Sequence, residues 1–245
     1  MTTNKRTGYE PTGLRASKSH RRRPTACGFT VLEVLLAILI LALVVTTVLA
    51  SFNMVFSSTE DLALSAEVHD MAQNGLNRMI VDLESSYIVQ RPLYKPPDFD
   101  DAPDAFRVVG ATTDIDGTAF AQLRFTSRAH VKLENSRADG IAEIVYYMHA
   151  KPDGQRVLRR SDNLYPYPPF AEKGSDPVLC EHVKSLAFTY FDAEGSEYED
   201  WDSDSDEFGY ATPAAIAIRL ELGDATTSHI FETMVKFPTY RKKIE

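Results

Sequence analysis

A long run of uncharged residues near the beginning of the chain dictates its first structural element. No charged side chain occurs between Glu33 and Glu60. This stretch is longer than the roughly 20 apolar residues that an α-helix needs to cross about 30 Å of hydrocarbon, so it predicts a membrane-spanning helix. A carboxylate in the bilayer costs on the order of 2.5–3.5 kcal/mol at the centre and less near the interface. We therefore expect Glu33, at the start of the helix, to find a partner.

The residues before this run are strongly basic. Up to Gly28 the chain has seven Lys or Arg side chains and one acidic side chain, Glu10. By the positive-inside rule, the N-terminus is expected in the cytoplasm and the residues after the helix on the far side of the membrane. A secretory signal peptide has its small-residue cleavage site after the apolar core, whereas here the junction Gly28-Phe29 precedes the core.

The segment Gly28-Phe29-Thr30-Val31-Leu32-Glu33 resembles the class III signal of type IV pilins and pseudopilins. The resemblance implies that a prepilin peptidase cleaves after Gly28, and that Phe29 becomes the N-methylated first residue of the mature chain. It also implies that Glu33 acts in assembly, since its carboxylate can neutralise the ammonium group of a neighbouring subunit inside the bilayer. The alternative is a plain single-pass anchor in which the Glu33 side chain extends to the membrane interface.

The helix is predicted to continue beyond the membrane. No proline occurs between Pro24 and Pro92, so one helix can span residues 29–87. After Glu60 its pattern becomes amphipathic, which is typical of a helix that packs on a sheet. Gly75 indicates a close approach of another segment, a mild flex, or equally a tolerated cost of about 1 kcal/mol. The apolar stripe comprises Leu64, Val68, Met71, Ala72, Met79, Ile80 and Leu83, and the polar faces include Glu67, Asp70, Asn74, Asn77, Asp82 and Glu84.

The rest of the chain has the pattern of an antiparallel β-rich domain. A proline-rich and acidic loop at 90–105 ends the helix. Turns are predicted at Asp114-Ile115-Asp116-Gly117, at Lys151-Pro152-Asp153-Gly154 and where Asp192 and Gly195 redirect the chain. A long helix followed by many strands predicts an α+β fold. Predicted strands are 106–109, 121–125, 141–149, 156–160, 183–191, 214–222 and 230–237.

The C-terminal half is similar to the minor pseudopilin J family of type II secretion systems (general secretion pathway protein J). The similarity lies in the Phe-x-Tyr-x-Asp-x-x-Gly pattern at 188–195, followed by Trp201 and by Pro213-Ala214-Ala215-Ile216. It implies a type IV pilin-like fold with a cleaved leader at 1–28, a transmembrane half of the helix at 29–59, an amphipathic periplasmic half at 60–89 and a globular periplasmic domain at 90–245.

That resemblance also implies a role without catalysis. Members of the family belong to a tip complex that initiates the periplasmic pseudopilus and helps to export folded proteins across the outer membrane. The implied partners are minor pseudopilins of the I and K types, the major pseudopilin, the prepilin peptidase and the inner membrane. No cofactor is implied.

Cysteine usage separates this interpretation from its nearest alternative. Cleavage after Gly28 would remove Cys27 and leave Cys180, so no intrachain disulfide can form. Many type IV pilins have such a disulfide, so its absence favours a pseudopilin over a minor pilin acting in assembly, adhesion or DNA uptake. An unprocessed single-pass periplasmic binding domain is the third interpretation. Cys180 itself is expected to be a buried, small apolar residue.

The acidic segment at 197–207 is the one place where the sequence hints at a metal. Its alternating Asp200, Asp202, Asp204 and Asp206 resemble the oxygen spacing of a Ca²⁺ site, but the EF-hand register is incomplete. A solvated, mobile acidic loop is the favoured interpretation, with calcium as the weaker one.

Two functional classes are disfavoured by the sequence. The chain has a net charge of −9, which does not suit nucleic acid binding. Common catalytic motifs, including the glycine-rich phosphate loop and the His-Glu-x-x-His pair, are not found in the sequence, so an enzyme is not expected.

Overall fold

The computed structural model describes residues 28–98, 100–115, 117–131, 140–224 and 226–244, without the side chains of residues 55–64 and Thr118. The predicted leader up to Cys27 lies outside the described residues, as do Asp116 and the side chain of Leu64. The chain forms two compact units, Met1–Ser57 and Ser58–Glu245.

The first element is the helix α1, Val31–Glu84, of 54 residues. This confirms the predicted helix to within a few residues at each end. In the second unit, α1 buries Ala72, Leu76, Met79 and Leu83, which follow one another at spacings of three and four residues and so form one face. Val68, Met71 and Ile80 are partly buried beside them, so the predicted apolar stripe is confirmed for its described members.

The strands that follow are all paired antiparallel. The described strands are β1 (Val109–Ile115), β2 (Thr118–Ser127), β3 (Ala142–Ala150), β4 (Arg156–Leu164), β5 (Val178–Cys180), β6 (Val183–Phe191), β7 (Glu197–Tyr198), β8 (Trp201–Asp202), β9 (Ala215–Gly223) and β10 (Ser228–Lys236). They form one six-stranded sheet in the order β5-β4-β3-β2-β1-β8 and one four-stranded sheet in the order β10-β9-β6-β7. The layout is α+β, as predicted.

The core of the second unit is one hydrophobic cluster. It contains the buried face of α1 together with inward-facing residues of both sheets, among them Phe125, Tyr146, Leu186, Phe188 and Ile218. Phe188 of β6 pairs in register with Ile218 of β9, and the two strands alternate buried and more exposed residues. This period of two gives each strand one core face.

Most of the predicted strands are confirmed, and the exceptions have local causes. The segment predicted at 106–109 is a strand only from Val109, because Val108 instead exchanges hydrogen bonds with Ser203, at 2.9 and 3.0 Å. The short strands β5, β7 and β8 were not predicted, since two or three residues carry no readable alternation. Gly110 in β1 lies against Tyr190, and a Cβ atom there would overlap the Tyr190 hydroxyl.

The predicted turns are confirmed where they are described. Lys151 and Gln155 close the β3–β4 hairpin through a 2.7 Å hydrogen bond, and Gly154 has a φ of 82° that favours glycine. In the next predicted turn, Asp192 Oδ1 accepts hydrogen bonds from the backbone N–H groups of Glu194 and Ser196 at 3.0 and 2.8 Å.

Gly75 marks a close approach of another segment. A Cβ atom at Gly75 would lie 2.6 Å from the Cys180 sulfur, so the glycine allows β5 to contact α1 there. Cys180 is fully buried, as predicted, and burial raises the pKa of its thiol to about 12. A thiol with so high a pKa is a poor nucleophile, which agrees with a packing role.

Candidate functional site

The residues of the predicted cleavage and assembly site lie at the start of α1. Gly28, Phe29 and Thr30 precede the helix, and 80% of Phe29 is exposed. The Thr30 hydroxyl accepts a hydrogen bond from the backbone N–H of Glu33 at 3.2 Å, so Thr30 is the N-cap of the helix. Glu33 is the acidic residue of the first turn, where the helix dipole favours a negative charge.

The start of α1 also has a capping pattern that the sequence interpretation missed. Thr30-x-x-Glu33 has the spacing of a capping box, in which a glutamate three residues after the cap supports the helix start. The signal was present in the sequence. Phe29 and Glu33 also line one shallow groove of about 450 Å³ together with Ala37 and Leu41, so the two predicted site residues lie on one face of the first turns.

The helix that follows them is apolar and exposed. Val31–Met54, 24 residues long, is the one described helical segment that is long and apolar enough to cross a membrane. Its large side chains are exposed, and those of Leu32, Leu39 and Leu43 are more than half exposed. The length and composition of this segment are compatible with a single membrane anchor.

The acidic segment directs its carboxylates to different partners. Asp204 accepts hydrogen bonds from the Tyr94 hydroxyl at 2.9 Å and from the Asp104 backbone N–H at 2.6 Å. Asp202 lies 3.5 Å from Arg107, while Asp200 and Asp206 are exposed. Among the described residues, no three His, Cys, Asp or Glu side chains come together to hold a metal ion. The weak calcium prediction gains no support from this arrangement.

The interpretation of this segment as a solvated loop is wrong for its middle part, residues 201–204. Trp201 is 1% exposed and stacks on Phe208 with ring centroids 4.4 Å apart, and its indole N–H donates to the Ala211 carbonyl at 3.0 Å. Ser203 is buried as well. The aromatic residues within the acidic run were the signal for burial, because rings of this size seldom face water when a core is near.

Arg241 holds three segments together next to this acidic run. Only 3% of its side chain is exposed, and its guanidinium donates to the backbone carbonyls of Val89, Ser203 and Tyr210 at 3.2, 2.7 and 2.6 Å. The guanidinium also lies over the Tyr94 ring, 3.2 Å from its centroid. Burial lowers the pKa of Arg241, and the nearby Tyr94, Asp104 and Asp204 partly offset this.

A second buried polar cluster joins α1 to the six-stranded sheet. Asp82, predicted on a polar face of the helix, is 0% exposed, so that prediction is wrong. Its carboxylate accepts hydrogen bonds from Arg160 at 2.6 and 3.2 Å, and also from Arg78 and the Tyr146 hydroxyl. Burial by itself lowers the pKa of Arg160, but Asp82 and Asp162 outweigh it and hold the pKa above its ordinary value. Arg160 is therefore a buried cation with two carboxylate partners.

In both buried clusters, the charged side chains join separate segments of the second unit, which is a structural use of charge. Comparison of the chain with protein-family models and with curated proteins finds no match.

Proposed function

We propose that this chain is a minor pseudopilin of a type II secretion system, similar to the J family. It is a structural component of the pseudopilus tip that helps to initiate the pseudopilus and to export folded proteins across the outer membrane. The observation that carries the proposal is the order Gly28, Phe29 and Glu33 directly at the start of an exposed apolar helix, which leads into an α+β domain.

The proposed maturation uses the start of α1. A prepilin peptidase cleaves between Gly28 and Phe29, on the cytoplasmic face of the inner membrane, and Phe29 is then N-methylated. Phe29 lies outside the helix and is exposed, so cleavage there requires no helix unwinding. The chain remains a single-pass protein of the inner membrane, with the β-rich domain in the periplasm.

The proposed assembly step pairs charges between subunits. Cleavage creates an ammonium group at Phe29, and the Glu33 carboxylate of a neighbouring subunit neutralises it within the bilayer. Each charge alone would be costly in hydrocarbon, so the pairing favours side-by-side packing of helices. The partners are the minor pseudopilins of the I and K types and the major pseudopilin.

Maturation is tested by N-terminal sequencing and intact mass of the membrane-extracted chain, from cells with and without the prepilin peptidase. We expect a mature chain that begins at methylated Phe29 only when the peptidase is present. Gly28→Leu should block this step, whereas Gly13→Leu, in the same leader, should not. A chain that keeps residues 21–28 in both strains would overturn the proposal.

The role of the Glu33 charge is tested by a conservative change. Glu33→Gln keeps a capping-box side chain but removes the charge. We expect this variant to be processed normally and to lose co-purification with the other minor pseudopilins. Co-purification with pilus subunits instead would assign the chain to a type IV pilus, as a minor pilin.

A further inference from the structure

A basic surface groove lies on the second unit, apart from the residues of the proposed assembly site. It has a volume of about 680 Å³ and is formed by residues 90–91 and 238–244. Four of these nine lining residues are basic and none is acidic. The groove therefore concentrates positive charge in a chain that has 35 Asp and Glu against 26 Lys and Arg.

The four basic residues differ in whether nearby carboxylates already neutralise their charge. Arg241 is buried beside Asp104 and Asp204. Lys243 is 48% exposed and contacts Asp192 and Glu194 at 3.0 and 3.3 Å.

The other two cations are Arg91 and Lys242. Both are exposed, and neither forms an ion pair with another residue in the described part of the chain. Two cations are thus available to a ligand.

The wall of the groove is a chain segment without helix or strand. Some of its backbone N–H groups donate to other described residues and others do not. The N–H of Arg241 donates to the Thr212 hydroxyl at 2.7 Å and the N–H of Ile244 donates to the Gly209 carbonyl at 2.8 Å. Between them, the backbone N–H groups of Lys242 and Lys243 have no hydrogen-bond partner among the residues that the structure describes. N–H donors beside two cations suit a ligand with carboxylate and carbonyl oxygens.

We propose that this groove binds an extended acidic segment of a partner protein. Two carboxylates of that segment pair with Arg91 and Lys242, and its oxygens accept hydrogen bonds from the groove wall. The volume of the groove lies within the range of about 300–1,000 Å³ that is usual for ligand-binding sites. A nucleic acid fits less well, because its closely spaced phosphates require many cations and the chain as a whole is acidic. The inference does not depend on the proposed function.

The test is fluorescence anisotropy of a labelled hexaglutamate peptide with the full chain in a non-ionic detergent. We expect saturable binding that weakens with added salt, since exposed ion pairs are screened. The double variant Arg91→Glu/Lys242→Glu should weaken binding at least about fivefold, because two attractions become repulsions. The control Lys173→Glu/Lys184→Glu makes the same change in net charge away from the groove and should bind as the wild type does.

Three results would overturn the proposal. These are no saturable binding by the wild type, an equal loss of binding in the two double variants, or tighter binding of an oligothymidylate than of hexaglutamate. Fluorescence of the buried Trp201 verifies folding, and Arg91→Gln/Lys242→Gln replaces the first variant if that one does not fold. This neutral variant should also bind more weakly than wild type, and unchanged binding would count against the proposal.

Discussion

At the scale of single residues, the buried carboxylate of Asp82 is expected to contribute strongly to the stability of the fold. Its two oxygens accept hydrogen bonds from Arg160, Arg78 and Tyr146. In Asp82→Asn, an amide NH₂ group replaces one carboxylate oxygen and faces groups that are themselves hydrogen-bond donors. Arg160 also loses the negative charge of one of its two carboxylate partners. Because a buried charge without its partner is strongly destabilising, we expect the free energy of unfolding to fall by about 3 kcal/mol.

This expectation is checked by denaturant unfolding in detergent, followed through Trp201, the single tryptophan of the chain. Glu84→Gln is the matched control, since Glu84 is an exposed carboxylate two residues further along α1. It should change stability by less than about 0.5 kcal/mol. Equal stability of the Asp82→Asn variant and the wild type would show that the cluster contributes nothing.

A second single residue, Asp192, is expected to make the stability of the fold depend on pH. Burial opposes ionisation, but hydrogen bonds from Lys243 and the backbone N–H groups of Ser196 and Glu194 lower its pKa from 3.8 to about 2. Since the folded pKa lies below the unfolded one, the ionised group stabilises the fold above about pH 4. That stabilisation is lost as the pH falls towards 2.

The measurement is the free energy of unfolding of Asp192→Asn and of the wild type between pH 6 and 2. We expect the variant to be less stable at pH 6 and the difference to shrink towards pH 2. Glu194→Gln removes the second carboxylate near Lys243, which is exposed. The free energy of unfolding of this variant should fall between pH 6 and 2 as steeply as that of the wild type. A constant difference across this range would contradict the assignment to Asp192.

At the scale of elements, Arg241 connects the loop after α1 to the segment around β8. Its guanidinium donates to the Val89, Ser203 and Tyr210 carbonyls. In Arg241→Met these carbonyls lose their donor, so we expect faster amide hydrogen exchange in residues 89–94 and 203–210. Lys242→Met, one residue away and exposed, should leave exchange there unchanged. Unaltered exchange in the Arg241 variant would show that these segments are held by other contacts.

At the scale of the whole molecule, all the described residues of the hydrophobic core lie in the second unit. The described core begins at Val68 and Ala72 and includes both sheets, whereas Val31–Met54 is exposed and apolar. A fragment of residues 58–245 should therefore remain in the aqueous phase without detergent and unfold cooperatively. Detergent-free size-exclusion chromatography and Trp201 fluorescence test this. Aggregation of the fragment, or a gradual loss of signal, would show that the first unit is needed for folding.

The sequence predicted those parts of the fold that depend on local periodicity. The helix, the β-rich pattern of the domain and the hairpin at Lys151–Gly154 each follow from spacing, proline placement or turn residues within a short window. The proposed cleavage site at Gly28 and Phe29 and the proposed assembly residue Glu33 came from a resemblance to the class III signal, and their function remains a proposal. The sequence could not predict that Asp82 is buried, because its partner Arg160 is far away in the chain.

What the sequence determined by itself was the apolar segment Val31–Met54: an uncharged run of this length specifies an exposed apolar helix without any tertiary contact. What only the tertiary structure decided was the fate of polar residues in the second unit. Asp82, Arg241 and Ser203 are buried although their residue types usually face water. A polar group is buried where partners satisfy it, and those partners are brought together by folding rather than by sequence neighbourhood.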